Sequence, residues 1–242
     1  MACLERREHP GMTTETITAA ASGSWTLGDL AVDRIGFGAM RLTQNGEAFA
    51  ADATPKQLRG QAEENLRQLG RDHLDVVNLR IVGTDSIAER FGALAELREA
   101  GLIRHLGLSN IRPHHLAEAQ AIAPVVCVQN MYGIGASPEQ EEFLRTCGEQ
   151  GVAFVPFYSI AGTGREAGAT TDDNSRVHAF ARAHGVSAAQ IRLAWTLRRG
   201  PHVLAIPGTG NPDHLTQNVA AGALRLSEDE LTVLGSLHHE TV

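Results

Sequence analysis

Lysine is almost missing from this chain of 242 residues: Lys56 stands alone among 21 basic residues. Tyrosine is nearly as scarce, with Tyr132 and Tyr158 the only two. Chemistry that needs a lysine amine or a tyrosine hydroxyl therefore has one candidate and two candidates. The three cysteines, Cys3, Cys127 and Cys147, have neither the parity of a disulfide framework nor the spacing of a zinc site. A reducing cytoplasm is the expected compartment, no metal is expected, and Cys127 and Cys147 read as core residues. No apolar run approaches the ~18 residues of a membrane span. A net charge of -7 argues against nucleic acid or an anionic membrane as partner. A G-x-G-x-x-G turn is also missing, which argues against a dinucleotide-binding doubly wound sheet.

What is present is ordinary for a globular chain: 43% hydrophobic and 20% charged residues. The first 24 residues mix charges of both signs without an apolar centre, which predicts a disordered tail over 1–24 and not a signal peptide. Helix starts are legible after that. Thr54-Pro55-Lys56-Gln57 is a capping box with proline at the first helical position, followed by Leu58, Ala62, Leu66 and Leu69 on one face and a stop at Gly70. Ser86 to Glu89, Ser137 to Gln140, Ser187 to Gln190 and Ser227 to Glu230 repeat the device, and Pro113 opens a further helix. Each signal is worth only ~1 kcal/mol, but they agree. The doublets His114-His115 and His238-His239 lack i, i+4 metal spacing and read as exposed helix residues.

Between the helices lie short apolar runs at 75–79, 103–110, 125–130, 152–157 and 203–208. Alternation of strand and helix without a linker predicts one domain with a parallel sheet and right-handed crossovers. A polar or aromatic residue ends each run: Arg80, Ser109-Asn110, Gln129-Asn130, Phe157-Tyr158-Ser159, and the loop from Pro207 to Asn211. In a (β/α) barrel those positions form the site.

The stretches "GLIRHLGLSN", "VVCVQNMY" and "VLAIPGTGNPDHLTQNVAA" resemble the aldo-keto reductase family. "RIGFGAMRLT" resembles its first barrel strand, and "WTLGDLAV" the hairpin that closes the barrel bottom. The likeness covers roughly residues 25 to 238. It implies a (β/α) TIM-type barrel over 25–242. The family's D-T-A-x-x-Y-G motif and its strand-end lysine are missing, however, and no strand candidate lies between Met40 and Leu74. The resemblance thus implies an internal deletion of the second and third strands and a reduced barrel of about six parallel strands. It also implies loss of the Asp/Tyr/Lys/His tetrad, with Arg80 at the histidine position.

The implied cofactor half is retained. By resemblance Ser109, Asn110 and Gln129 would hold the nicotinamide amide of NADP(H), and Phe157 would stack on its ring. Ile206, Gly208, Thr209 and Gly210 would form the phosphate loop before a helix, with His214 near the 2′-phosphate and Asn218 at adenine. Read without the family, Ser109-Asn110 is a turn with a cap and "PGTGNP" a plain loop. Three functions compete. The first is a reductase-like enzyme acting on a small carbonyl metabolite, with Arg80, Tyr158 and Tyr132 as catalytic candidates. The second is a repurposed cyclase, isomerase or lyase, and the third a pseudoenzyme. The exposed edges of a shortened barrel favour a homodimer.

Overall fold

A computed structural model describes residues 17–39, 53–160 and 175–237. Strands β1 (Ser24–Leu27) and β2 (Leu30–Asp33) form an antiparallel hairpin. Gly28 at φ +66° makes its turn and lets the ring of His105 pack where a Cβ would lie 2.3 Å away. Asp29 then anchors the hairpin, 2.6 Å from His105 Nε2 and bidentate to Arg104.

Parallel strands β3 (Leu74–Arg80), β4 (Ile103–Ser109), β5 (Val125–Gln129) and β6 (Ala153–Phe154) follow in sheet order. The expected run at 203–208 and the segment around Ile35 extend this sheet as single bridges, Phe154 to Val203 and Ala205 to Ile35. Proline explains part of the thinning. Phe154 N–H donates to His202 O, but Pro156 has no N–H with which to continue that ladder.

Helices α1 (Pro55–Leu69), α2 (Ala88–Glu99), α3 (Pro113–Gln120), α4 (Pro138–Glu149), α5 (Ser175–His184), α6 (Ala188–Leu197), α7 (Pro212–Ala220) and α8 (Glu228–Gly235) alternate with or follow the strands. Their apolar faces meet one face of the sheet in a large core around Phe91, Leu106, Leu108, Val128, Phe154 and Trp195. On the other face Cys127, Ala153, Val155 and Leu204 pack against Trp25, Leu27 and Val32 of the hairpin.

Three local expectations are corrected. Residues 19–24 belong to the fold, because Ser22 is buried in a 3-10 turn (Ala19–Ser22) and its hydroxyl accepts from Ile35 N–H at 3.1 Å. Residues 1–16 lie outside the described ones. Ser86 does not cap α2; Ile87 takes the cap position, and Glu118 of α3 accepts both the Ser86 hydroxyl and the Ile87 N–H. His115 is fully buried in α3, whereas His114 is exposed as expected. His238 and His239 lie outside the described residues. The capping boxes at Thr54, Ser137, Ser187 and Ser227 all form, and Cys127 and Cys147 are buried free thiols.

Candidate functional site

Side chains alternate between the two faces of a strand, so a strand that buries Val77 and Leu79 under helices sends Val76, Asn78 and Arg80 to the opposite face. The same alternation in β4 and β5 puts Gly107, Ser109, Cys127 and Gln129 on that face. Sheet register then assembles rows. Asn78, Gly107 and Cys127 are aligned, and Arg80, Ser109 and Gln129 form the next row toward the C-terminal ends. Gly107 is required in the lower row, since a Cβ there would lie 2.0 Å from Asn78 Oδ1 and 2.6 Å from Cys127 Sγ. Burial pushes the Cys127 thiol up to about 12, so it is no thiolate nucleophile.

In the upper row Arg80 Nη1 donates to Ser109 Oγ at 3.4 Å. Its guanidinium lies over the ring of Phe157, with Cζ 5.5 Å from the centroid. Tyr158 meets the same ring edge-on at 5.1 Å. Tyr158 has φ +63°, uncommon for an aromatic residue and worth about 1 kcal/mol or more of backbone strain at the rim. The half-buried Gln129 amide makes no hydrogen bond among the described residues, whereas Asn110, at φ +57°, spends its amide nitrogen on Ile81 O at 2.7 Å.

The segment from Ile206 to Asn218 rises at the same end of the sheet. Gly38 N–H donates to Pro207 O, and the two chains approach so closely that a Cβ on Gly208 would lie 2.6 Å from Gly38 O. Ile206 packs with the inner core. Thr209 Oγ1 accepts from Asn211 N–H, and Asn211 Oδ1 accepts from Asp213 N–H, so the loop delivers α7 with a capped start. Nothing would meet a Cβ on Gly210, and His214 is exposed. Asn218, one turn beyond His214, is 5% exposed and its amide has no partner among the described residues.

Arg80, Ser109, Gln129, Phe157 and Tyr158 are thus brought together, and the Ile206 to Asn218 segment shares their rim. Tyr132 is not with them. Its ring is buried against Trp195 and Phe154 in the helix-side core. Its hydroxyl donates to Glu141 at 2.8 Å and accepts from Arg199 at 3.0 Å. Burial raises its pKa well above the ordinary tyrosine value. The expectation of Tyr132 as a proton donor in the site is therefore corrected. The residue lies three positions past the end of β5, where helix packing against Trp195, Glu141 and Arg199 sets its place. Asn78 was missed; stepping back two residues from Arg80 along the strand would have found it.

A model of the aldo/keto reductase family matches residues 37–238. Pyridoxine 4-dehydrogenase of Escherichia coli (strain K12) is 39% identical over 194 residues, covering 77% of this chain and 65% of that one. Probable aldo-keto reductase 1 of Glycine max is 30% identical over 206 residues, covering 74% and 59%. An aldo-keto reductase from Klebsiella pneumoniae in complex with NADPH superposes with a TM-score of 0.65 at 28% identity, covering 75% of this chain and 64% of that chain. The present chain spans 56% to 65% of the length of the curated relatives.

Proposed function

Because this chain belongs to the aldo/keto reductase family, we propose that the rim from Arg80 to Asn218 binds NADP(H) and reduces a small carbonyl compound without the usual tetrad. The amides of Gln129 and Asn218, neither with a hydrogen-bond partner among the described residues, carry the reading. Ser109 and Gln129 present a hydroxyl and an amide to a nicotinamide carboxamide. Phe157 backs its ring, the Gly208-Thr209-Gly210 loop and the start of α7 face the phosphates, His214 stands by the 2′-phosphate, and Asn218 meets adenine. Asn110 adds its remaining amide oxygen. When bound, the nicotinamide supplies hydride; this chain's residues orient and protonate. Arg80 holds the carbonyl oxygen or a neighbouring carboxylate with paired donors, and the Tyr158 hydroxyl delivers the proton.

In this reading residues 25–242, with the 3-10 turn at 19–22 packed on them, form a reduced, incomplete barrel of six strands, in the order Ile35 segment, Ala205 segment, β6, β5, β4, β3. The two strands that would hold the tetrad's Asp, Tyr and Lys are, in this reading, the ones deleted; among the described residues no strand lies between Ala53 and Leu74. The protein works in the cytoplasm, with a second copy as partner. No helix among the described residues is long and apolar enough to cross a membrane.

The test is calorimetric titration of the full chain with NADPH, read together with hydrogen exchange. Heat of binding with protection of residues 206–218 is expected; no heat and no protection at millimolar NADPH would reject the reading. Arg80 beside Ser109 also favours a second reading, a non-redox cyclase, isomerase or lyase that stabilises an enolate or carboxylate. Turnover that proceeds without added nicotinamide would select it.

A further inference from the structure

At the end of the sheet opposite the rim, a cavity of about 320 Å³ opens between the 3-10 turn at 19–22, the C-terminus of α6 and the chain that follows α7. The strand segments beside it run from Arg34 to Gly38 and from Val203 to Pro207, which sets it roughly 13 Å from the loop that begins at Pro207. Arg34, Arg198 and Arg225 line the cavity, and no acidic residue does. Arg34 is half-buried and donates only to backbone carbonyls: Nε to Val203 O at 3.2 Å, Nη1 to Ser22 O at 3.3 Å, and Nη2 to Gly200 O at 2.6 Å and to Leu197 O. Those bonds satisfy carbonyls at and just past the end of α6, but none of the partners carries a charge. Burial, and after it the charge of Arg198, push the Arg34 pKa down. Arg225 spends only Nη1, on Gly222 O at 3.0 Å and Leu224 O at 3.4 Å, so its Nε–Nη2 edge has no hydrogen-bond partner among the described residues. Arg198 does meet an acid, Glu228, at 3.5 Å, but that carboxylate is 86% exposed and holds it weakly.

We propose that this cavity binds a phosphate group, either free inorganic phosphate or the phosphoryl end of a phosphorylated metabolite. Three guanidiniums gathered around one hollow repel one another, and a dianion between them replaces that repulsion with attraction. The open Nε–Nη2 edge of Arg225 is a two-donor fork that matches two phosphate oxygens. Arg34 uses the Nε donor, one Nη1 donor and both Nη2 donors, which leaves the second Nη1 donor of its five. Arg198 adds a charge that Glu228 restrains little. The hollow has a firm floor, since Gly222 closes on the turn where a Cβ would lie 2.8 Å from Ser22 Cβ. The three arginines belong to three separate segments, so a bound phosphate ties those segments together and stabilises the fold. This site lies apart from the cofactor rim and does not rest on the cofactor reading.

The experiment titrates the full chain by calorimetry with inorganic phosphate and, separately, with glycerol phosphate, using sodium chloride at matched ionic strength as control. Saturable phosphate binding is expected, with a rise in melting temperature that chloride does not reproduce. Arg198→Gln combined with Arg225→Gln should weaken binding at least about tenfold. Both side chains are exposed, so the double variant keeps the core intact. His214→Gln on the cofactor rim, or saturating NADPH, should leave phosphate affinity within about twofold. No saturable heat up to about 50 mM phosphate overturns the proposal, and so does an equal effect of chloride. Phosphate binding that survives the double variant and is displaced by NADPH also overturns it, because the ion then sits on the cofactor rim. Equal affinity for glycerol phosphate upholds the site and assigns it to a phosphorylated metabolite; preference for inorganic phosphate upholds it and assigns the free ion.

Discussion

The two tyrosines of this chain receive opposite environments. Tyr158 stands at the rim on a strained backbone, while Tyr132 is enclosed by Trp195, Phe154 and the Glu141–Arg199 pair. A phenol whose pKa is raised in the fold keeps its proton where the unfolded chain loses it. Its contribution to stability is present below the ordinary value of ~10 and is lost as pH rises above it. In a Tyr158→Phe background Tyr132 is the sole tyrosine. An ultraviolet titration should then show no phenolate until alkaline unfolding begins. Reversible phenolate absorbance near pH ~10 with intact circular dichroism would contradict the assignment. Tyr132→Phe should lower stability by about 1 kcal/mol and leave NADPH affinity unchanged. His202 carries the opposite sign. Burial lowers its pKa, so its contribution is present above ~6.5 and is lost as pH falls below that value. Melting temperatures should decline from about pH 7 to about pH 5 in wild type, and less so in His202→Gln.

Elements with local signals were the legible ones. Four serine or threonine capping boxes form where the spacing places them, because the donors and acceptors involved lie within four residues of one another. Ser86 breaks the pattern because Glu118, 32 residues away, competes for the same groups. The strand-end residues of the site were legible for a similar reason: period-two alternation carries Arg80, Ser109 and Gln129 to one face, and parallel register aligns them. Past the strand end alternation lapses, and Tyr132 was misread because its partners Glu141 and Arg199 are set by helix packing. Gly107 tests the row directly. Gly107→Ala drives a methyl into Asn78 Oδ1, Cys127 Sγ and the Cys127 carbonyl, so a loss of at least 1–3 kcal/mol is expected in urea unfolding. A variant as stable as wild type would mean that β3, β4 and β5 are not spaced as described. The hairpin is held electrostatically. Arg104, and after it His105, keep the Asp29 carboxyl well below the usual carboxylate range. Its anchoring is therefore present above pH ~4 and lost as pH falls through its lowered value.

At the scale of the whole molecule the sheet has two unequal ends. β3 pairs with β4 alone, and at the other end the segment around Ile35 is joined to Ala205. Among the described residues no strand pairs with the second edge of β3. Phe37 and Val82, near the two ends, are large apolar side chains left 43% and 53% exposed. Open edges beside exposed apolar groups favour pairing with another copy, while a net charge of -7 per chain opposes it. The balance makes association depend on both concentration and salt. Light scattering after gel filtration should show mass rising from one chain toward two over about 1 to about 100 µM, more readily at high salt, where the mutual repulsion is screened. Phe37→Lys places a charge on an edge without removing a core residue. It should shift the equilibrium to monomer while changing stability by no more than about 0.5 kcal/mol. A wild-type chain that stays monomeric across that range at high salt would show that its edges are covered from within the same chain, and the expectation of a second copy would fall.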